Sequence, residues 1–134
     1  MILPGCSGSR PGNLGIRDGQ LAPCPSTPNC VSTYATDETH GIKPYTYTGT
    51  LNEAKAKLVT VIGNLPRTKM ISNDGPYVYA EFTSKVWRFV DDVEFIFDDT
   101  TQTVQFRSAS RLGKSDFAVN RDRMETIRRE FMKE

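Results

Sequence analysis

The stretch that decides the fold runs from Phe89 to Arg123 and reads FVDDVEFIFDDTTQTVQFRSASRLGKSDFAVNRDR. From Trp87 onward the apolar residues fall on odd positions, which is the periodicity of a β-strand with one buried face. After turn residues 98–101 the apolar positions become even, beginning at Val104. A loop of two or four residues brings both apolar sets onto the same face. The stretch therefore predicts an antiparallel hairpin.

The register of this hairpin decides which charged side chains meet. We expect Phe95 to lie opposite Val104, and Asp92 to lie opposite Arg107 on the outer face. An exposed cross-strand ion pair of this kind contributes about 0.2 to 1 kcal/mol. The pair would therefore position the strands as much as stabilise them.

Asp91 is the one acidic residue in the apolar register, and the same pairing puts Ser108 opposite it. A carboxylate that faces a core must be hydrogen-bonded, ion-paired or protonated. Its partners could be Ser108, Ser110, the amides of the turn after Gly113, or an arginine of the final segment. Asp91 is thus either an anchor for that turn or a functional carboxylate.

Three motifs together resemble the domain-of-unknown-function family 1499, an uncharacterised family of bacterial and plastid proteins. They are CPSTPNCVS from Cys24 to Ser32, then FVDDVEF, then RSASRLGKSDFAVNR. The resemblance implies export to the periplasm, cell envelope or thylakoid lumen, and it implies no established activity. One departure is Ala118, where the family pattern has glycine. A turn that needs a positive φ at this position would be strained by alanine.

Length and composition limit the classes of protein that the chain can belong to. At 134 residues it predicts one domain, with 37% hydrophobic and 25% charged residues. The net charge of +1 gives no general case for nucleic acid or for an anionic membrane as a partner. No apolar run approaches the roughly 18 residues of a membrane span.

Residues 1–33 are rich in Gly, Pro and Ser, and are predicted to be an extended tail held at few points. The sequence Leu3-Pro-Gly-Cys6 resembles the end of a bacterial lipobox, which makes Cys6 a candidate for lipid attachment. The basic and apolar parts of a signal peptide do not precede it. Either the natural chain starts upstream of Met1 or the match is chance. A membrane is expected as a partner only through this anchor.

Cys24 and Cys30 enclose five residues and are predicted to form a disulfide in an oxidising compartment. A metal site is the alternative, but Cys6 and His40 do not readily complete the usual four ligands. We therefore expect no metal. His40 is interpreted as a solvated loop residue.

The rest of the chain predicts an α+β domain over residues 34–134. A capping box at Thr50 and Glu53 begins a first helix, and Gly63 lies near its end. Two more strands follow, at residues 68–72 and 77–83, and make a four-stranded antiparallel meander with the hairpin. The polar outer face of this sheet is interpreted either as solvent-exposed or as a ligand or partner surface. It would carry Tyr79, Glu81, Arg88, Asp92, Glu94, Arg107 and Arg111.

A second helix is predicted from about Asn120 to Lys133, with Asn120 as its N-cap. The predicted architecture has two layers, a sheet packed by two helices, together with the extended N-terminal segment.

The candidate ligand-binding residues are the polar and charged side chains of the hairpin and of the start of the second helix. They are Asp91, Asp92, Glu94, Arg107, Ser108, Ser110, Arg111, Asp116, Asn120, Arg121 and Arg123. A helix N-terminus flanked by arginines suits an anion such as phosphate or carboxylate. The alternative is that these arginines pair with the neighbouring carboxylates.

Three functions compete on this evidence. The first is an envelope or lumenal binding domain that holds an anionic small molecule or a protein partner, with no cofactor. The second is a hydrolase in which Asp91 or Asp92 acts with Ser108, although the only histidine is distant in sequence. The third is a structural domain of an assembly. No residue is assigned as catalytic.

Overall fold

Residues 8–133 are described by the computed structural model, which has two helices packed on one face of a six-stranded antiparallel sheet. The elements in chain order are β1 (Cys30–Ser32), β2 (Tyr45–Thr46), α1 (Leu51–Gly63), β3 (Thr68–Asp74), β4 (Tyr77–Thr83), β5 (Val90–Asp98), β6 (Thr103–Ser110) and α2 (Val119–Phe131). The predicted α+β class with two helices is confirmed.

The sheet has more strands than the expected four. β3 to β6 form the predicted meander, and the strand order is β1, β6, β5, β4, β3. β2 also pairs with β6, at Tyr45 opposite Val104. β1 and β2 span three and two residues. Alternation cannot be recognised over so few positions, and for this reason the periodicity did not reveal them.

The inner face of the sheet carries the apolar core, and both helices cover it. The capping box is confirmed, because the Thr50 hydroxyl accepts from the Glu53 amide at 3.1 Å. Tyr45 lies at the centre, fully buried, and donates to the carbonyl of Met124 at 2.6 Å. The core consists mainly of Val78, Ala80, Phe82, Val93, Phe95, Phe97, Val104 and Phe106 from the sheet, and of Leu58, Ile62, Met124, Ile127 and Phe131 from the helices.

The predicted hairpin register is wrong by two residues on one strand. Phe95 lies opposite Phe106, and Asp98 opposite Thr103, so that residues 99–102 form a loop of four, one of the two loop lengths expected. The Asp98 carboxylate accepts from the amide of Thr100 at 3.0 Å and turns the chain. A shift of two residues keeps each side chain on its predicted face. The charged partners nevertheless change: Glu94, and not Asp92, lies opposite Arg107.

The predicted start of β5 at Trp87 is also wrong. The strand begins at Val90, while Trp87 and Phe89 lie in the preceding loop with 65% and 42% of their surface exposed. Arg88 between them has a φ of 59°, in the left-handed region, which breaks the extended backbone. These aromatic residues therefore do not belong to the core.

The start of α2 corrects a second prediction. Asn120 is not the N-cap; it lies inside the helix, and its side chain is completely buried. Ala118 precedes the helix with a φ of 67°. The departure from glycine noted in the sequence therefore falls at a position of positive φ, where alanine is strained.

The N-terminal part of the chain packs against the sheet. Residues 8–23, here called the cover segment, cross the outer face, and Leu21 is buried there. The predicted Cys24–Cys30 disulfide is present, with the two Cα atoms 5.7 Å apart. Cys30 already belongs to β1, within the part of the chain that was expected to be a tail.

The cover segment also corrects one interpretation of the outer face. Tyr79, Asp92 and Glu94, which were expected to face solvent or a ligand, are at most 3% exposed. No helix within residues 8–133 is long and apolar enough to cross a membrane. Cys6 lies outside the described residues.

Candidate functional site

The candidate residues separate into two clusters because β5 alternates sides. Asp91 faces the helices, whereas Asp92 faces the cover segment. The inner cluster consists of Asp91, Ser108, Ser110, Asp116, Asn120 and Arg123. The outer cluster consists of Tyr77, Tyr79, Glu81, Asp92, Glu94, Arg107 and Arg111.

The inner cluster is built around the Asn120 amide. Its Nδ2 donates to the Asp116 carboxylate at 2.6 Å and to the Ser110 hydroxyl at 2.9 Å. Its Oδ1 accepts from the Ser108 hydroxyl at 2.6 Å and from Arg123 at 2.9 Å. Asn120 thus links the end of β6 to the first turn of α2.

Asp91 meets an arginine of the final segment, one of the partners expected from the sequence. Arg123 Nη2 lies 2.7 Å from Asp91 Oδ2, and the guanidinium also lies over the ring of Phe82. Burial raises the pKa of Asp91, while Arg123 and the Ser110 hydroxyl oppose that rise. Asp91, the acidic residue among the inward apolar positions of β5, therefore fixes α2 to the sheet.

The outer cluster is centred on Arg111. Its guanidinium binds the Asp92 carboxylate through two contacts of 2.8 Å and reaches Glu81 at 2.5 Å. The Tyr79 hydroxyl donates to Asp92 as well. The hydrogen bond with Asp92 is the main cause that raises the pKa of Arg111. All three ionised groups are largely buried, so this is an internal ion-pair network.

The cover segment completes the outer cluster. Burial tends to raise the pKa of Glu81, but hydrogen bonds from Arg10 and Arg111 outweigh it and lower the pKa. The Gly15 amide donates to Glu94 Oε2 at 2.7 Å, and the Tyr77 hydroxyl donates to the same oxygen at 2.6 Å. A backbone amide and an arginine side chain of an irregular segment thus bind carboxylates of the sheet.

Two buried atoms of the outer cluster have no hydrogen-bond partner among the described residues, namely Glu94 Oε1 and Arg107 Nε. Burial raises the pKa of Glu94 and lowers the pKa of Arg107. The two side chains face each other across the strands, but their charged atoms are not within 4 Å in the described structure. The expected ion pair of Arg107 with Asp92 is wrong, because Arg111 binds Asp92 instead.

Arg121 lies apart from both clusters. Its guanidinium donates to the carbonyls of Gly41 at 2.8 Å and Thr39 at 3.1 Å. It also lines a cavity of about 190 Å³ together with Asp116 and Val31. The Asp116 carboxylate accepts a hydrogen bond from the backbone N–H of Asn120 at 2.9 Å. A negatively charged side chain of the protein therefore already lies at the N-terminus of α2.

The prediction that His40 is a solvated loop residue is wrong. His40 is 9% exposed, and its ring nitrogens contact the Thr27 carbonyl at 2.9 Å and Asp37 at 2.6 Å. The Thr27 carbonyl is the main cause that raises the pKa of His40. The ring thereby fixes the loop that follows β1.

The chemistry of the candidate serine and carboxylates follows from these pairings. The Ser108 hydroxyl donates a hydrogen bond to Asn120 Oδ1, and Asp91 accepts one from Arg123. Ser108 and Asp91 are therefore not paired with each other as nucleophile and base. Over residues 8–133, no group of three His, Cys, Asp or Glu side chains is arranged to hold a metal ion.

Some residues of the clusters were not selected from the sequence. Tyr79 and Glu81 were assigned to the outer face but not to a site, and their alternation with the inward residues of β4 was the available signal. Asn29 was also missed: its Nδ2 donates to the Gly113 carbonyl at 2.8 Å, and its carbonyl accepts from Asn120 at 3.2 Å. Its position inside the CPSTPNCVS motif was the signal for it.

The family model described as "Protein of unknown function (DUF1499)" matches residues 20–131. The chain belongs to this family. In this DUF1499 chain the three motifs meet in space, because Asn29, β5, β6 and the start of α2 all contribute to the inner cluster. Comparison with curated proteins and with solved structures finds no match.

Proposed function

We propose that this DUF1499 chain is a non-catalytic interaction domain that is tethered to a membrane in an oxidising, exported compartment. The observation that carries the non-catalytic part of the proposal is the internal pairing of the charged clusters. Arg111 and Arg123 each bind a buried carboxylate, so these residues act as a structural frame. The hydrolase alternative would need Asp91 or Asp92 free to act on Ser108, and both carboxylates are engaged by arginines.

The tether is Cys6, through the lipid that its lipobox-like context would attach. Gly8, the first described residue, packs against Leu112 at one end of the sheet, since a Cβ added there would lie 3.2 Å from the Leu112 side chain. Two residues of chain reach at most about 7 Å, so a lipid on Cys6 would start close to that end. The Cys24–Cys30 disulfide supports an oxidising compartment.

The test is made in cells that express the full natural chain. Metabolic labelling with a fatty-acid analogue should mark the native protein and a Ser7→Ala control, and it should leave Cys6→Ser unmarked and outside the membrane fraction. A thiol-blocking assay on the same material should find Cys24 and Cys30 oxidised. An unlabelled native protein with a free Cys6 thiol would refute the tether, and reduced Cys24 and Cys30 would refute the compartment.

A second candidate function is the binding of a small anion beside Arg121. The observation in its favour is that Arg121 lines a cavity and has no carboxylate within 4 Å among residues 8–133. Inorganic phosphate or acetate at a hundred times its dissociation constant should stabilise the domain by about 2.7 kcal/mol. The Arg121→Gln variant should lose this stabilisation, whereas Arg129→Gln, on the exposed side of α2, should keep it. The absence of stabilisation in the native domain would remove this candidate.

A further inference from the structure

One end of the sheet exposes an unusual number of large apolar side chains. They lie on the β4–β5 loop, on the turn between β6 and α2, and at the first residue of α2. Six of them are at least 42% exposed: Val86, Trp87, Phe89, Leu112, Phe117 and Val119. We call these six residues the apolar end. Phe117 is 91% exposed, far beyond what a residue that supports the core would show.

The two loops are neighbours because of the strand register. Asp91 near the start of β5 pairs with Ser110 at the end of β6, and the Arg111 amide donates to the Val90 carbonyl at 3.3 Å. The β4–β5 loop is held in shape, since the Phe89 amide donates to the Ser84 hydroxyl at 2.8 Å. The apolar end is therefore formed by two neighbouring loops at one end of the sheet rather than by the tip of one isolated loop.

Basic side chains flank the apolar end. Lys85, Arg88 and Lys114 lie in the same two loops and are exposed. None of the three has an ion-pair partner among residues 8–133. The overall net charge of +1 thus conceals a local positive charge around an apolar and aromatic centre.

We propose that the apolar end docks on the surface of a lipid bilayer that contains anionic lipids. Aromatic and aliphatic side chains that enter the headgroup region, flanked by Lys and Arg, are typical of proteins that lie on a membrane. The position of Gly8 against Leu112 is an independent reason, because the chain towards Cys6 leaves the domain at this same end. The inference rests on the proposed tether only for this second reason.

The chain provides its own reporter, because Trp87 is its single tryptophan. The full chain is purified in oxidised form as Cys6→Ser, so that no lipid is attached. Vesicles of an equal mixture of phosphatidylcholine and phosphatidylglycerol should move the emission of Trp87 to shorter wavelength, and brominated lipids should quench it. Lipid attachment to Cys6 does not enter this experiment, so the docking and the tether can fail separately.

Variants in the apolar end separate its two contributions. Leu112→Ser with Phe117→Ser should weaken vesicle partitioning about tenfold or more, because apolar burial is lost. Lys85→Glu with Lys114→Glu should weaken it by at least about fivefold for each basic residue removed, and added salt should weaken the native binding. All replaced side chains are exposed, so the unfolding midpoint should not change.

The matched control is Met132→Ser with Lys133→Glu. Met132 is 48% exposed and follows the last residue of α2, about 20 Å along the helix from Val119. This variant should bind vesicles like the native domain. Unchanged Trp87 emission with vesicles would overturn the proposal, and so would an equal loss of binding in the control. A shift that depends on protein concentration without lipid, with a dimer in sedimentation, would assign the surface to a second copy instead.

Discussion

The two faces of β5 each bury an aspartate, but different parts of the chain surround the two carboxylates. Asp91 on the inner face is paired by Arg123 of α2, in the helical layer that the fold class predicts. Asp92 on the outer face is paired by Arg111, beneath a segment that has almost no regular structure. A polar face of an antiparallel sheet can thus be buried by an irregular segment of the same chain.

The two faces also differ in how fully their polar groups are satisfied. In the inner cluster each buried polar side chain has a partner within the described residues. In the outer cluster Glu94 Oε1 and Arg107 Nε have none. The outer face is therefore the more costly of the two to bury, and the cover segment is needed to keep it closed.

Removing the central arginine of each face tests this difference most strongly. Arg111→Ala leaves Asp92 and Glu81 buried without their shared partner, so it should destabilise the domain by about 3 to 5 kcal/mol. Arg123→Ala should cost less, because burial already raises the pKa of Asp91, and a protonated carboxyl does not need a cation as its partner. Urea unfolding of both variants measures the effect, and limited proteolysis at Arg17 reports whether the cover segment detaches. An equal loss in both variants would mean that the two faces are equivalent.

Opening the disulfide tests the attachment of the cover segment by itself. Cys24→Ala with Cys30→Ala should lower the free energy of unfolding by about 2 kcal/mol, because the loop that it closes is short. The change should increase cleavage at Arg17, and it should leave the inner cluster in place because Asn29, inside the loop, stays bound to Asn120 and Gly113. Amide hydrogen exchange of Asn120 and Arg123 is the control for the inner face. Faster exchange there would show that the disulfide supports both faces.

The alternation of apolar and polar residues in the sequence predicted which side chains of β5 lie on each face of the sheet. It identified the hairpin, the inward position of Asp91 and the outward position of Asp92, because neighbouring residues of a strand face opposite sides. It could not determine the register, since a slip of two residues preserves the face of each side chain. The geometry of the four-residue loop, with Gln102 at a φ of 52°, decides it instead.

The burial of the outer face could not be predicted in the same way. Residues 8–23 contact it through the Arg10 side chain but also through backbone groups, such as the Gly15 amide on Glu94 and the Pro23 carbonyl near Arg107. Every sequence contains such groups, and a segment rich in Gly and Pro has no periodicity that indicates its neighbour. The sequence therefore predicted the opposite sides of Asp91 and Asp92, but not that the outer side is covered by residues 8–23.

The pH dependence of stability should distinguish two carboxylates within the outer face. Burial raises the pKa of Glu94 above its ordinary 4.5, so the folded state binds more protons than the unfolded state as the pH rises past that value. The stabilisation from Glu94 is therefore present at lower pH and is lost as the pH rises through its folded pKa. The stability difference between the native domain and Glu94→Gln should fall over this window, by at most about 1.4 kcal/mol per pH unit.

Glu81, on the same face, should show the opposite dependence of stability on pH. Its pKa is lowered by Arg10 and Arg111, so its stabilisation is present above the ordinary value and is lost as the pH falls through the folded pKa. The difference between the native domain and Glu81→Gln should therefore rise with pH. Urea titrations at a series of pH values measure both differences. Parallel slopes for the two variants would contradict this assignment of the arginines.

The smallest expected effect concerns the inner face alone. Ala118→Gly should stabilise the domain by about 0.5 to 1 kcal/mol, because its φ of 67° is one that glycine adopts without steric cost. The exposed Ala56→Gly in α1 is the matched control and should destabilise by about 1 kcal/mol. Since Ala118 precedes the turn that carries Asn120 and Arg123, the gain should be lost when Arg123 is also replaced by alanine and α2 is no longer held to Asp91. A gain that persists in that double variant would mean that the strain at Ala118 is relieved locally and does not act through the inner cluster.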